Sequence, residues 1–331
     1  MAIPVVDLAG AAGPDARKIA DRIGAACRDV GFFAIVNAGV PRAVEAAAWD
    51  AARAFFDLPL ADRLAAQVHY PGYPYGYVPY LGEGLAYSRG EATPPDLKES
   101  FSCAFVAAAV GPTADPDATF AHCPNLWPSA LPGFAAAMEA YYRAMAALAA
   151  RLMGLFALAL DLPHDFFAPA IDRHISALRI LNYPEPERTP APGQIRAGAH
   201  TDYGSLTVLR QQAAPGGLQV QGPDGGWLDV PALDDGYVVN LGDLMQRWTN
   251  DRWRSTLHRV VNPPPDARGR SRRQSIAFFH QPNWDAEIAC LPSCLAPGET
   301  PRHPPVRSGP HLMAKYRSTV AFEPAAGARP V

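Results

Sequence analysis

The chain has 331 residues, 49% hydrophobic and 18% charged, which is enough for a large core and too apolar for general disorder. Its net charge of −3 gives no electrostatic case for nucleic acid or an anionic membrane. The longest apolar run, 144–160, is interrupted by Arg151 and the start has no charged-then-apolar leader pattern, so no membrane span or signal is expected.

Residues 3–7 read as a short strand. Ile19, Ile23, Cys27 and Val30 fall three or four apart, which predicts an amphipathic helix over 15–30. Residues 31–37 read as a buried strand closed by Ala38 and Gly39, and a second helix is expected from Pro41, as its first residue, to about Phe56. From Tyr70 to Tyr87 the texture changes. Six of the chain's twelve tyrosines sit there among Pro and Gly. Pro71, Pro74 and Pro79 argue against a regular element and predict an ordered loop, its rings either packing the loop itself or lining a site mouth. Residues 96–102 re-enter ordered structure, and 107–132 is an Ala/Pro-rich connection.

Phe134, Met138, Tyr141, Met145, Leu148, Leu152, Leu155 and Leu158 repeat with helical spacing, predicting a long helix over 132–160 that backs a sheet and stops at Asp161-Leu162-Pro163. Beyond residue 175 the pattern becomes strands at 175–182, 205–212, 217–221, 226–229, 236–241, 257–261 and 275–280, with a hairpin turn at Asp224-Gly225-Gly226. Short strands after a mostly helical half predict a mainly β protein with flanking helices, built on a jelly roll. A last helix is expected over 309–317 and a frayed end over 322–331. The division expected is an N-terminal α/β region over 1–130 packing on a helix-backed barrel over 131–320, together one compact unit, with a tail at 321–331. Five cysteines, an odd number, do not suggest a disulfide framework, and Cys290 and Cys294 are too isolated for a zinc half-site. Reduced thiols in a cytoplasmic protein are the expectation.

The chemistry begins at 198–209, where His200 and Asp202 lie two apart and run into an alternating, β-branched segment. Side chains two apart on an extended backbone share a face, so both groups are expected to converge on one metal ion from the mouth of a sheet. His258 sits at the centre of a second strand-like run. Two His and one carboxylate with open positions opposite suit a non-haem Fe(II) oxygenase. In 270–279, Arg273, Ser275, Ala277 and Phe279 share a face. An Arg fork and a Ser hydroxyl together suit a carboxylate, and a keto acid held there by its far end would reach the metal, as 2-oxoglutarate does. Tyr183, closing the first jelly-roll strand, offers a phenol to the same group. Each of these has an ordinary reading too: Arg273 as a solvated hairpin charge, Tyr183 as core.

Taken in order, Asn182-Tyr183-Pro184, His200-Thr201-Asp202, 239–243, Gln246-Arg247-Trp248, 257–260 and the Arg-x-Ser of 273–275 resemble the isopenicillin N synthase-like branch of the Fe(II)/2-oxoglutarate-dependent oxygenases. The segments 3–8, 31–33 and 95–101 resemble the same branch, so the similarity covers nearly the whole chain. The resemblance implies a double-stranded β-helix with metal ligands His200, Asp202 and His258. It also implies an oxoglutarate clamp of Arg273 and Ser275 with Tyr183 assisting. Fe(II), 2-oxoglutarate and O2 would then oxidise an unactivated C–H bond of a small metabolite, most often by hydroxylation, with succinate and CO2 as coproducts. The hairpin 262–272 departs from the pattern in being long and arginine-rich, but of these arginines only Arg273 has a Ser two residues on. Tyr203 and Phe279 are expected either to bracket the open side of the iron and grip a flat ring or simply to fill the barrel. The small-molecule partner is a natural-product, amino-acid-like or heterocyclic metabolite. Two rivals remain at this point: a non-catalytic jelly roll that binds a ligand, and an isopenicillin-type oxidase that needs no oxoglutarate. The resemblance gives that oxidase an iron ligand from a C-terminal Gln. This chain has no Gln after Gln281 and only Glu323 in its tail, which favours oxoglutarate use.

Overall fold

The computed structural model describes residues 2–320 except 71, 92, 107–115, 187 and 268; Arg268, the expected frayed tail and Glu323 lie outside the described residues. The N-terminal part contains β1 (Val5–Asp7), α1 (Ala16–Asp29), β2 (Phe32–Val36), α2 (Arg42–Asp57), α3 (Leu60–Leu64), β3 (Gly76–Val78) and β4 (Glu99–Cys103). Then come α4 (Phe134–Ala159), α5 (Ala168–Ile171), β5 (Ala177–Tyr183), β6 (Ala197–His200), β7 (Leu206–Gln211), β8 (Leu218–Gln221), β9 (Trp227–Asp229) and β10 (Gly236–Leu241). The chain continues through α6 (Asp243–Trp248), β11 (His258–Val260), β12 (Arg273–His280), β13 (Glu287–Ile288), β14 (Val306–Arg307) and α7 (Ser308–Val320).

Eight strands form one sheet in the order β1-β2-β10-β7-β12-β5-β4-β3, and four form a second in the order β6-β11-β8-β9. β1 and β2 run parallel, and the remaining ladders of both sheets are antiparallel. The two sheets face each other across a closed apolar layer in which Phe32, Leu181, Val238 and Ala277 of the large sheet meet Ala197, Leu218, Val220 and Val260 of the small one. This is the double-stranded β-helix. Alternate residues of the same strands, among them Phe33, Ile180, Val239 and Phe278, point the other way into a second cluster shared with α1, α2 and α4. Central strands are thus buried on both faces, which is why β10 reads as a continuous apolar run with a single Asn.

By length and composition α4 would pass for a membrane span, but 56% of its apolar window is buried inside the fold, against α1, α2 and the sheet. Helix α2 starts one residue later than expected. Pro41 has an extended backbone (ψ 124°) and stands just before the helix, not as its first residue. The N-terminal region does more than pack on the barrel. Strand β2 pairs with β10 and β4 pairs with β5, so its strands extend the barrel's own sheet at both edges.

The tyrosine-rich segment is not wholly a loop. Three of its residues form β3, at the edge of the large sheet, where flanking prolines such as Pro74 and Pro79 remove no ladder bond. Tyr73, Tyr75, Tyr77 and Tyr87 are buried, and the first two donate to the carbonyls of Pro124 (2.6 Å) and Ala121 (3.0 Å). Most of these rings therefore fasten the segment to the body.

Candidate active site

Strand β6 runs antiparallel to β11 with His200 opposite His258, and the two imidazole centres stand 4.2 Å apart. Asp202 is not a second residue of the same strand, as the spacing suggested. β6 ends at His200, and Asp202 lies in the turn that leads to β7. That turn swings the carboxylate back towards the imidazoles, with Oδ1 3.7 Å from Nε2 of His258 and 4.0 Å from Nε2 of His200. One ligand atom from each of the three lies within 4.8 Å of the others.

The far side of each group is tied down. Nδ1 of His200 donates to the Gly198 carbonyl (2.8 Å) and Nδ1 of His258 to that of Thr256 (3.1 Å), which leaves both Nε2 lone pairs facing the common point. Oδ2 of Asp202 accepts from Thr207 Oγ1 (2.5 Å) and Asn240 Nδ2 (2.6 Å), which leaves Oδ1 to face the imidazoles. Burial, helped by the neighbouring His258, pushes His200 down to about 3, so its imidazole is neutral at ordinary pH. Burial also works against the charge on Asp202, but His258, His200 and the two hydrogen bonds outweigh it and hold the carboxyl below its usual range. Two imidazoles and an ionised carboxylate on one side of a point suit Fe(II) with open positions opposite.

Strand register carries the site across the large sheet. On β12, Arg273 lies opposite Tyr183, Ala277 opposite Arg179 and Phe279 opposite Ala177 of β5. On its other side Ser275 faces Gln211 and Phe279 faces Thr207 of β7. Directly opposed residues share a face, so one surface runs from Arg273 to Phe279 and Thr207, whose hydroxyl holds Asp202. Arg273 is 2% exposed, its guanidinium carbon lies 5.0 Å from the Tyr183 ring centre, and its Nη2 donates to Gln211 Oε1 (2.5 Å). Its Nη1 has no partner among the described residues. A buried guanidinium nitrogen left unpaired is costly, and a carboxylate would satisfy it. The neighbouring arginines turn away: Arg272 pairs with Asp57 (2.5 Å) and Asn182 (3.0 Å), and Arg270 is exposed. Ser275 is buried beside Arg273. Tyr203 is half-buried just past Asp202, and Phe279 is half-buried at the metal end of β12.

Several residues here were not singled out from the sequence. Thr207, Asn240 and Gln211 act only through a partner on another strand. Asp96 accepts from the Gly198 N–H (2.9 Å), on the peptide that orients His200. Arg179, a lone charge in the apolar β5, was the one visible signal of a further polar group, described below.

Residues 3–130 match the family described as the non-haem dioxygenase in morphine synthesis N-terminal region, and residues 175–282 match the 2OG-Fe(II) oxygenase superfamily. A 2-oxoglutarate-Fe(II) type oxidoreductase, hxnY of Emericella nidulans, is 33% identical over 327 residues, which is 96% of this chain and 90% of that protein. Proline hydroxylase buaE of Petromyces alliaceus is 36% identical over 288 residues, covering 84% of this chain and 86% of its own. Among solved structures, a full-length Neurospora crassa protein in complex with alpha-KG superposes with a TM-score of 0.82 at 30% identity, covering 96% of both chains. The same fungal protein with alpha-KG and thymine gives 0.80 at 29% identity, over 96% of this chain and 97% of that one.

Proposed function

Since the chain belongs to the 2OG-Fe(II) oxygenase superfamily, we propose that it hydroxylates an unactivated C–H bond of a small, flat metabolite at the His200–Asp202–His258 centre. The enzyme is a 2-oxoglutarate-dependent dioxygenase using Fe(II) and O2. Bound iron supplies the oxidising chemistry, in which oxoglutarate loses CO2 to become succinate and one oxygen atom goes to the substrate. The protein's part is orientation and exclusion of water.

In this reading His200, Asp202 and His258 hold the metal from one side. Arg273 and Ser275, with Tyr183 beside them, hold the far carboxylate of oxoglutarate. The observation that carries the assignment is the unpaired Nη1 of Arg273, buried on the same sheet face whose other end anchors Asp202 through Thr207. Tyr203 and Phe279 flank the remaining side and hold the substrate ring. A flat ring is consistent with the thymine in the Neurospora crassa complex. The five cysteines form no disulfide among the described residues, which suits a reducing cytoplasm.

Purified protein mixed anaerobically with Fe(II) and oxoglutarate should develop a visible metal-to-ligand charge-transfer band. With substrate and O2 it should release one succinate for each product. Failure to form the band, or product made at an undiminished rate without oxoglutarate, would overturn this reading, the second outcome in favour of an isopenicillin-type oxidase.

A further inference from the structure

Beside the proposed metal centre lies a cluster of four ionisable side chains, of which only Asp96 bears on the metal side and none belongs to the oxoglutarate clamp. Arg179 grips Glu83 with both terminal nitrogens (3.2 Å each) and donates through Nε to Ser102 (2.8 Å). The ammonium of Lys98 lies 2.9 Å from Asp96 and 3.4 Å from Glu83. Asp96 ties the cluster to the metal side through the Gly198 N–H. Arg179 stands opposite Ala277, one strand pair away from Phe279 on the same inner face.

Two features make this cluster a candidate wall for a substrate cleft beside the proposed metal centre. Lys98 and Asp96 are 2% exposed and form its base, whereas Glu83 (21%) and Arg179 (18%) keep accessible surface although they sit inside the fold. The cluster also carries no net charge. Burial opposes ionisation of Glu83, Lys98 and Arg179, yet their neighbours keep Glu83 below the usual carboxyl range and Lys98 and Arg179 above their ordinary values. Two cations and two anions cancel. A ligand bringing a carboxylate or an ammonium here would be buried without a counter-ion. A neutral ligand meets no such penalty. The N–H groups of Arg179 and Lys98 would donate to a carbonyl, and a Glu83 oxygen would accept an adjacent N–H.

We propose that Glu83, Lys98 and Arg179 form the polar wall of the substrate pocket and select a neutral, planar substrate with an N–H and a C=O side by side, a lactam or cyclic imide, over carboxylates, ammonium ions and zwitterions. The proposal rests on the oxygenase reading above and adds to it the substrate class. It also gives the charge balance of the wall a consequence that a purely structural ion cluster lacks: shifting the balance should shift which ligand is accepted.

The test uses the anaerobic Fe(II)–oxoglutarate complex, whose charge-transfer band responds when a ligand enters beside the metal. Uracil and hydantoin should perturb the band at pH 7, and benzoate, benzamidine and L-proline should not. In Glu83→Gln the imide affinity should fall about tenfold or more, the loss expected for one charge-assisted hydrogen bond. The same variant should gain a response to benzoate, which adding Lys98→Met abolishes again. Arg179→Gln, with the opposite imbalance, should gain a response to benzamidine. The band itself reports in each variant that iron and oxoglutarate still bind. Absence of the band in the wild type would defeat the oxygenase reading. A normal wild-type band that neither imide perturbs overturns the present proposal alone, as do variants that form the band but leave probe preference unchanged.

Discussion

Asp202 has one oxygen held by Thr207 and Asn240 and the other turned towards two imidazoles. Asp202→Ala should abolish turnover and weaken Fe(II) binding with little change in melting temperature, because the group lines an open site. Thr207→Val keeps the shape but removes one of the two hydrogen bonds that hold the carboxylate. Iron titration should then show affinity lower by about 10–100-fold, the range typical for a lost outer-shell hydrogen bond. At the other end of the face, Arg273→Gln should raise the KM for oxoglutarate strongly, by on the order of 2–5 kcal/mol in binding. Arg272→Gln loses a partly exposed pair with Asp57, of roughly 0–1 kcal/mol, and should barely move that KM. The opposite ranking would place the oxoglutarate carboxylate on Arg272 instead of Arg273. Phe279→Ala and Tyr203→Ala should uncouple the reaction, with succinate formed in excess of product. The residues of the candidate metal centre and of the proposed clamp stood out in the sequence because His-x-Asp, a strand-borne His and Arg-x-Ser each carry a chemical signature at short range. Thr207, Asn240 and Gln211 carry none: a hydroxyl or amide in a strand acquires its role only when another strand arrives opposite.

The turn after Asp202 shows the same limit at the scale of elements. A Cβ on Gly204 would stand 2.3 Å from the carbonyl oxygen of His280, and one on Gly242 2.3 Å from that of Gly204. The turn is therefore wedged between the end of β12 and the start of α6, and backbone atoms, unlike a flexible side chain, cannot give way. Gly204→Ala should cost about 1–3 kcal/mol in stability and loosen Asp202, so that melting temperature and iron affinity fall together. Affinity unchanged in a destabilised variant would detach the wedge from the metal site. Strands rich in Val, Ile and Leu were found from sequence to within a residue or two at most ends, since their apolar pattern holds on either face. Strand β6, Ala-Gly-Ala-His, has little intrinsic preference for extension and exists because β11 pairs with it. That is why His200 and Asp202 read as one strand.

The molecule as a whole should be sensitive to acid for reasons distant from catalysis. Burial, together with His174, pushes His280 down to about 3, and burial pushes His311 down to about 4. Both folded values lie below the ordinary 6.5, so below about pH 6.5 the unfolded chain binds protons that the folded one refuses. Stability should be flat above that pH and fall as pH drops towards 4. Denaturant midpoints measured from pH 8 to pH 5 check this, and His280→Gln should shallow the decline. A midpoint constant down to pH 5 would contradict the buried neutral state of these rings.

The order of strands in the large sheet also bears on how the protein comes into being. Strand β2 has only the short β1 beside it until β10 arrives, with Val36 finally meeting Gly236, and β4 waits for β5. At ribosomal rates the first of these delays lasts on the order of 10–40 s. Throughout that time the nascent chain carries unsatisfied strand edges and apolar faces, which is what a chaperone binds. A fragment ending at residue 130 should accordingly stay unfolded or aggregate on its own, as circular dichroism and light scattering would show. The proposed metal site, too, forms late: His258 reaches His200 only when β11 pairs with β6, so iron bound there would be loaded after most of the chain has been made.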